Sequence, residues 1–140
     1  MQRRGAKTAR RSLCPLNASV EMLGDRWSLL ILRDMMLRGS HTYKEFLEAS
    51  LEGIATNILA DRLRRLECNG IIRAKPDAHD GRKMIYSLTQ KGIDLAPVLT
   101  EMVLWAAKHE RVGNQSLIRQ IRNNKEEFIA AVVQRLRAAK

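Results

Sequence analysis

Side chains that can hydrogen-bond to the edges of nucleic-acid bases recur at helical spacing near the middle of the chain. Asn57, Asp61 and Arg64 are separated by four and three residues, which places them on one face of a helix. An asparagine can pair with an adenine edge, an arginine with guanine or a phosphate, and a carboxylate can accept from a cytosine amine. The alternative for the carboxylate is an ion pair within the helix, from Asp61 to Arg64 or Arg65. The predicted base-reading residues are Thr56, Asn57, Ala60, Asp61 and Arg64.

A second polar group lies just upstream of these residues. Thr42, Tyr43 and Lys44 begin the preceding predicted helix. Backbone N–H groups and side chains at the start of a helix can hold a phosphate. We therefore expect this segment to contact the backbone of a nucleic acid.

A third group lies downstream, in a charged turn that contains Asp80-Gly81-Arg82 and Lys83. Arg82 suits insertion into a narrow minor groove, where the negative potential is deepest. Asp80 can brace the Arg82 guanidinium, and Lys83 suits a phosphate. The alternative is a solvated turn whose charges contact nothing specific.

Periodic apolar residues and turn signals predict the elements that position these three groups. Asp25 and Thr42 are good N-caps for the helices that follow them. Leu59, Leu63 and Leu66 form an apolar seam on the opposite side of the base-reading helix. The predicted helices are Asn17–Leu23, Arg26–Leu37, Tyr43–Ala49 and Thr56–Asn69, and the predicted strands are Ile71–Lys75 and Met84–Leu88.

The C-terminal third is predicted to be helical. Thr89 is expected to cap a long helix to about Glu110, which Pro97 should kink or whose start it should displace. Gly113-Asn114 breaks the chain, and Ser116 is expected to cap a last helix. The last helix carries an apolar stripe formed by Ile121, Phe128, Val132 and Leu136.

A short helix, a second helix and a basic-tipped hairpin, in that order, are the layout of a winged helix-turn-helix. The expected fold is mainly α with a small β-hairpin. The predicted divisions are a basic N-terminal tail at residues 1–13, a winged helix-turn-helix domain with dimerisation helices at 14–112, and an extra C-terminal amphipathic helix at 113–140.

Charge is concentrated at the two ends of the chain. Of the net charge of +10, residues 1–13 contribute +5 with no acidic residue, and residues 113–140 contribute +4. Residues 14–112 hold 14 basic and 13 acidic side chains and are nearly neutral. Basic ends attract any polyanion without choosing a sequence, and a solubilising tail is the alternative for residues 1–13. The near-neutral centre keeps a second function open, a winged-helix module that docks a protein partner.

Composition and cysteine count argue against several other classes. With 45% apolar and 29% charged residues, a globular domain is expected. No apolar run approaches the roughly 20 residues of a membrane helix, and no secretory signal is recognisable, so we expect a cytoplasmic protein without a membrane partner. Two cysteines and three scattered histidines give no metal-ligand spacing. No catalytic arrangement or phosphate-cradling glycine loop is recognisable, so neither an enzyme nor a cofactor is expected.

Short motifs along most of the chain resemble one known family. They are Cys14-Pro15, Gly24-Asp25-Arg26-Trp27 with Leu29–Leu32, Tyr43-Lys44-Glu45-Phe46, Gly53-Ile54, Leu59, Leu63-Arg64, Leu66-Glu67, Gly70-Ile71, and Tyr86-Ser87-Leu88-Thr89 with Gly92. Together they resemble the HxlR-type regulators, a branch near the MarR-type winged-helix transcription factors. The resemblance implies a homodimeric, DNA-binding regulator in a prokaryotic cytoplasm, often a repressor, that reads a pseudopalindromic operator.

The resemblance also carries expectations about single residues. Terminal helices form the dimer in such proteins, which places Trp105 at the interface. Family members often have Ser where this chain has Ala55, so Thr56 is expected to replace it as helix cap. The Asp80-Gly81-Arg82 hairpin is closer to the MarR type than to the Pro-rich wing of many relatives. The helix after Gly113 extends beyond the usual end of the family.

Cys14 is a candidate sensor of oxidants or electrophiles. Some relatives use a cysteine at this Cys-Pro position in that way, and a sensing thiol must be partly exposed. The alternative is a small buried residue at the dimer interface, while Cys68 is expected to be an ordinary surface residue. A small apolar effector between the dimerising helices is also open, although interface packing explains the apolar residues there more simply.

Overall fold

The computed structural model describes residues 9–139, so Arg3, Arg4 and Lys7 of the predicted basic tail lie outside the described residues. Within this range the chain forms eight helices and one antiparallel hairpin, which confirms the predicted fold class. The helices are α1 (Pro15–Leu23), α2 (Arg26–Arg38), α3 (Tyr43–Ala49), α4 (Thr56–Cys68), α5 (Gln90–Ile93), α6 (Ala96–His109), α7 (Gln115–Asn123) and α8 (Lys125–Ala138), and the strands are β1 (Ile72–Pro76) and β2 (Met84–Leu88).

The chain divides into two compact units at Thr89 and Gln90. The division predicted between residues 112 and 113 falls inside the second unit, in the turn between α6 and α7. None of the helices in residues 9–139 combines the length and the apolar character needed to cross a bilayer.

The core of the first unit is built on the predicted seam of α4. Leu59, Leu63 and Leu66 are at most 2% exposed, and Leu32 of α2 and Phe46 of α3 are as deeply buried. Full burial of one such side chain contributes about 1.5–3 kcal/mol. One side of α4 is therefore buried in the core, and the other side is exposed.

The hairpin is joined to the start of α3 as well as to itself. β1 and β2 pair from Ile72↔Leu88 to Pro76↔Met84. A single antiparallel bridge joins Thr42 to Ile85, and the Tyr86 N–H donates to the His41 carbonyl over 2.8 Å. These two contacts join the segment before α3 to β2 of the wing.

The two predicted caps of this unit are confirmed. The Asp25 side chain accepts from the Ser28 N–H at the start of α2, and Thr42 accepts from the Glu45 N–H at the start of α3. The start of α4 differs from the prediction, because its N-cap is Ala55 and no side chain caps it. Thr56 is instead the first helical residue, so the expectation that Thr56 replaces a family serine as cap was wrong.

The second unit breaks each of its two predicted helices in two. The chain leaves the helix after Ile93 and restarts at Ala96, with Pro97 in the first turn of α6, where a missing N–H costs nothing. Pro97 thus displaces the helix start, one of its two predicted effects.

The predicted last helix is interrupted at Asn124. Asn114, rather than Ser116, caps α7 by accepting from the Leu117 N–H, and Asn124 caps α8 by accepting from the Glu127 N–H. The expectations of one final helix and of a Ser116 cap were therefore wrong. Ile118, Ile121 and Val132 of these helices are buried.

Candidate DNA-binding surface

The side of α4 that faces away from the core carries most of the predicted base-reading residues. Thr56, Asn57, Ala60 and Arg64 are exposed, and Asp61 is half-buried. The side chain of Arg64 keeps 70% of its surface accessible. The helix therefore presents an amide, a guanidinium and the small Ala60 side chain on one accessible face.

The carboxylate of Asp61 is fully engaged by arginines. Arg64 Nη2 donates to one carboxylate oxygen over 3.0 Å, and Arg62 Nη1 donates to the other over 2.6 Å. The predicted pair with Arg64 is present, and the second partner is Arg62 rather than Arg65. The hydrogen bond from Arg62, followed by that from Arg64, holds the pKa of Asp61 below its usual range. Asp61 is thus placed to orient Arg64, and each of its oxygens accepts one hydrogen bond from an arginine.

Arg62 is a residue of this surface that the sequence analysis missed. Its Nε donates to Asp25 over 3.0 Å, so it links α4 to the N-cap of α2. Asp25 raises the pKa of Arg62 further through this hydrogen bond. Its partner Asp25 lies 37 positions away, so no local pattern in the sequence indicates this ion pair.

Two of the three candidate residues at the start of α3, Thr42 and Tyr43, form hydrogen bonds within the protein. Thr42 is 3% exposed, and its hydroxyl accepts from the Glu45 N–H and donates to the Glu45 carboxylate. The Tyr43 hydroxyl donates to the Thr56 carbonyl over 2.8 Å, which joins the starts of α3 and α4. Lys44 is exposed and 3.7 Å from Glu48. Of the three, only Lys44 is disposed to meet a phosphate.

The turn of the hairpin displays its arginine to solvent. The Arg82 side chain is 95% exposed, and its Nε lies 3.4 Å from the Asp80 carboxylate, which is the brace that the sequence predicted. The Asp80 side chain also accepts from the Arg82 N–H, and the Asp80 carbonyl accepts from the Lys83 N–H. These bonds give the turn a defined shape that presents Arg82 and Lys83 at its tip.

Exposed apolar residues lie on two other helices. Leu16 and Val20 of α1 are 71% and 55% exposed, and Leu13 just before that helix is 93% exposed. On α6, Val98, Met102 and Trp105 are 46%, 48% and 65% exposed. Their spacing of four and three residues makes a stripe along the helix.

Both cysteines are free and exposed. Cys14 is the N-cap of α1, and Cys68 is the last residue of α4. In residues 9–139 no three histidine, cysteine or acidic side chains are grouped to hold a metal ion.

Comparisons with known proteins agree with this architecture. Residues 22–114 match the HxlR-like helix-turn-helix family. The HTH-type transcriptional regulator YvaP of Bacillus subtilis is 35% identical over 97 residues, which is 69% of this chain and 88% of YvaP. YodB, an HTH-type transcriptional regulator of the same organism, is 35% identical over 96 residues, which is 68% of this chain and 84% of YodB.

Solved structures give the same result. The reduced form of YodB matches with a TM-score of 0.57 over 74% of this chain and 100% of that one. The redox regulator HypR in its oxidised form matches with a TM-score of 0.61 and 28% identity, over 71% of this chain and 100% of HypR. The chain therefore belongs to the HxlR-like helix-turn-helix family, and it is a winged-helix transcription regulator rather than an enzyme.

Proposed function

We propose that the protein is a homodimeric repressor that binds a pseudopalindromic operator in double-stranded DNA. In this proposal α4 enters the major groove and Arg82 of the wing reaches toward the minor groove. The observation that carries it is the exposed face of α4, where Asn57 and Arg64 lie opposite a buried leucine seam. A regulator of this kind acts where the chromosome is, so we place the protein in a prokaryotic cytoplasm.

Each side chain of the surface then has a separate role. Asn57 and Arg64 read base edges, and the small side chains of Thr56 and Ala60 allow the helix to approach them closely. Lys44 and Lys83 neutralise phosphates and position the protein without reading sequence. Thr42, Tyr43 and Asp61 support the surface through the hydrogen bonds described above. We no longer propose them as direct contacts to DNA.

Fluorescence anisotropy with duplex fragments from around the protein's own gene, at several salt concentrations, tests the proposal. A fragment retained at moderate salt identifies the operator. Asn57→Ala and Arg64→Ala should each weaken operator binding about 5- to 150-fold, since a bidentate base contact is worth about 1–3 kcal/mol. Arg82→Ala should weaken binding with less change in base preference. Lys108→Ala, on the exposed end of α6, is the control for loss of a positive charge.

Two results would contradict the proposal. Operator binding by Asn57→Ala and Arg64→Ala that equals the wild type would show that the surface is wrongly assigned. Uniform weak binding that disappears with salt would mean that only basic segments touch DNA. The near-neutral residues 14–112 would then favour the second candidate, a module that docks a protein.

We further propose that oxidation of Cys14 modulates DNA binding. Its support is the exposure of the thiol at the start of α1 and the similarity to HypR, a redox regulator solved in an oxidised form. Hydrogen peroxide would convert the thiolate to a sulfenic acid while being reduced to water. Peroxide should change operator affinity for the wild type and for Cys68→Ser but not for Cys14→Ser. The sensor role is contradicted if peroxide leaves the operator affinity of the wild type unchanged. It is also contradicted if peroxide still changes the affinity of Cys14→Ser.

A further inference from the structure

We propose that Arg62 is a positioning residue that neutralises Asp61 and thereby keeps the DNA-facing side of α4 free of an unpaired negative charge. The inference rests on the proposed function of α4 in DNA binding. It assigns a role to a residue that is not itself a contact, because the Arg62 side chain is only 20% exposed.

The geometry is a chain of four charged groups from α2 to the exposed end of the surface. Arg62 bridges two carboxylates, with Nε on Asp25 at 3.0 Å and Nη1 on Asp61 at 2.6 Å. Asp61 continues the chain to Arg64 Nη2 at 3.0 Å. Side-chain exposure is low at the inner pair, 25% for Asp25 and 20% for Arg62, and rises through 38% for Asp61 to 70% for Arg64. The Asp25–Arg62 end is therefore the more sheltered and the Arg64 end the more exposed.

The inner end of the chain is held by independent contacts. Asp25 caps α2 by accepting from the Ser28 N–H over 2.9 Å, and it accepts from the Ser28 hydroxyl over 2.6 Å. An acceptor with this many donors is confined to one rotamer, since the hydrogen bonds to a charged group are the strong ones. The Asp25 carboxylate that binds Arg62 is therefore fixed in position. The planar guanidinium of Arg62, held by this carboxylate, stays oriented toward Asp61.

The outer end explains why a partner for Asp61 is needed. Asp61 lies on α4 between Asn57 and Arg64, four and three residues away, so its carboxylate faces the same DNA as they do. A carboxylate close to phosphates repels them, and water is excluded from a formed interface, which strengthens that repulsion. The hydrogen bond from Arg62 is the largest cause that holds the pKa of Asp61 below the usual range, so the group stays charged. Arg64 pairs with one oxygen of Asp61 and Arg62 pairs with the other, so Arg64 does not have to balance the charge alone.

The same arrangement leaves Arg64 able to read DNA. Asp61 takes one N–H of Nη2, and among residues 9–139 no bond is formed by Nε or Nη1 of Arg64. Without Arg62, Asp61 would pair with Arg64 alone. Its carboxylate would then compete with guanine or phosphate for the Arg64 guanidinium. The loss of Arg62 should therefore weaken operator binding through Asp61, which a double-mutant cycle can isolate.

The test compares Arg62→Gln, Asp61→Asn and the double variant by anisotropy on the operator and on a duplex of unrelated sequence. Arg65→Gln, an exposed arginine of the same helix, is the control for charge. We expect Arg62→Gln to weaken operator binding about tenfold, which corresponds to about 1.4 kcal/mol. Asp61→Asn should raise affinity for the unrelated duplex about threefold, through the removal of a negative charge. The double variant should recover most of the affinity lost in Arg62→Gln.

Recovery in the double variant that exceeds the gain from Asp61→Asn alone is the result that a purely structural role of Arg62 would not give. If Arg62 only fastened α4 to α2, Asp25→Asn would imitate Arg62→Gln and Asp61→Asn would rescue neither, which would overturn the proposal. Thermal unfolding of each variant, measured in parallel, shows whether lost affinity reflects lost structure. If Asn57→Ala and Arg64→Ala bind the operator like the wild type, the function proposed for α4 fails. If those two are impaired but no rescue appears, only the role of Arg62 fails.

Discussion

Asp25 connects the stability of the fold to pH through one carboxylate. Partial burial acts to raise its pKa, but the hydrogen bonds from Ser28 and Arg62 outweigh burial and bring the pKa below the usual 3.8. The folded state thus binds a proton less readily than the unfolded state. The stability that Asp25 contributes is complete above its unfolded pKa and is lost as the pH falls through the lower, folded value.

We predict that Asp25→Asn is less stable than the wild type at pH 6 by about 1 kcal/mol, because a hydrogen bond to a charged group contributes about 1.5–3 kcal/mol and one to a neutral group about 0.5–1.5 kcal/mol. Asparagine retains the ability to cap α2, so the difference reports on the charge. Urea unfolding at pH 6 and again below pH 3.8 measures it. The gap between the two proteins should narrow in acid, and a gap that stays constant would show that the charge of Asp25 is not its source.

The pKa of Asp34 is shifted in the opposite direction, above its usual value. Asp34 is 4% exposed, and its burial raises the pKa in spite of the ion pairs with Arg33 and Arg38. Arg33 Nη2 lies 2.9 Å from Asp34, while both Nη atoms of Arg33 also donate to Glu52, over 2.7 and 2.9 Å. Arg33 is therefore the main compensation for a buried charge.

We predict that Arg33→Met destabilises the fold by about 2–3 kcal/mol at neutral pH, because it leaves Asp34 buried with only the more distant Arg38. The loss should shrink as the pH falls, since protonation of Asp34 removes the uncompensated charge. Glu52→Gln is the comparison, and it should cost less than about 1 kcal/mol because that pair is partly exposed. An equal cost for both variants in denaturant unfolding would contradict this account.

Local patterns in the sequence predicted the cap and bounds of α3 and the buried face of α4, because neighbouring residues determine these features. Thr42 caps α3 as predicted, because its hydroxyl accepts from the Glu45 N–H, and it also donates to the Glu45 carboxylate. The predicted bounds of α3 match the structure. The predicted seam of α4 is the buried face of that helix. These features depend on neighbours three or four residues apart, which a sequence displays directly.

The break at Asn124 was missed because two local signals disagree. The apolar spacing of Ile121 and Phe128 continues through Asn124 as if one helix ran across it. Asn124 nevertheless accepts from the Glu127 N–H and donates to the Glu127 carboxylate, so a new helix starts there. The Asn-x-x-Glu pattern was the available signal. Arg62 was missed for a different reason, since its partner Asp25 lies 37 positions away in the sequence.

The junction between α4 and the wing depends on one glycine. Gly70 has φ of +72°, its N–H donates to the Glu67 carbonyl, and the next N–H donates to the Leu66 carbonyl. This pair of bonds is a Schellman motif, which turns the chain from α4 directly into β1. A side chain at this position is strained by about 1–2 kcal/mol.

We predict that Gly70→Ala lowers the free energy of unfolding by about 1 kcal/mol. Gly81, in the wing turn, is the matched control, because it does not have a positive φ and an added Cβ there meets open space. Gly81→Ala should be close to neutral. Chemical denaturation of both variants provides the comparison, and equal stabilities would show that the junction tolerates an ordinary residue.

For the whole molecule, the central question is what covers the apolar stripe of α6. Val98, Met102 and Trp105 stand 46–65% exposed in the single chain, whereas large aromatic side chains are costly to leave in water and are common at the centres of interfaces. The appended helices α7 and α8 do not remove this exposure, although Ile118, Ile121 and Val132 are buried within the same unit. We predict that a second copy of the chain covers the stripe, since the proposed pseudopalindromic operator requires a dimer.

We predict that Trp105→Ala weakens self-association by about 2 kcal/mol or more, the loss typical of a central aromatic residue, and so about 30-fold in the dissociation constant. Sedimentation velocity over a range of concentrations measures this shift. Lys108→Ala, on the exposed end of the same helix, should leave the dimer unchanged. Because paired recognition helices bind two half-sites together, Trp105→Ala should also lose operator affinity at low protein concentration and regain it as concentration rises. A wild type that sediments as a monomer would refute the homodimer. A Trp105→Ala variant that self-associates as strongly as the wild type would show that the interface is not on α6.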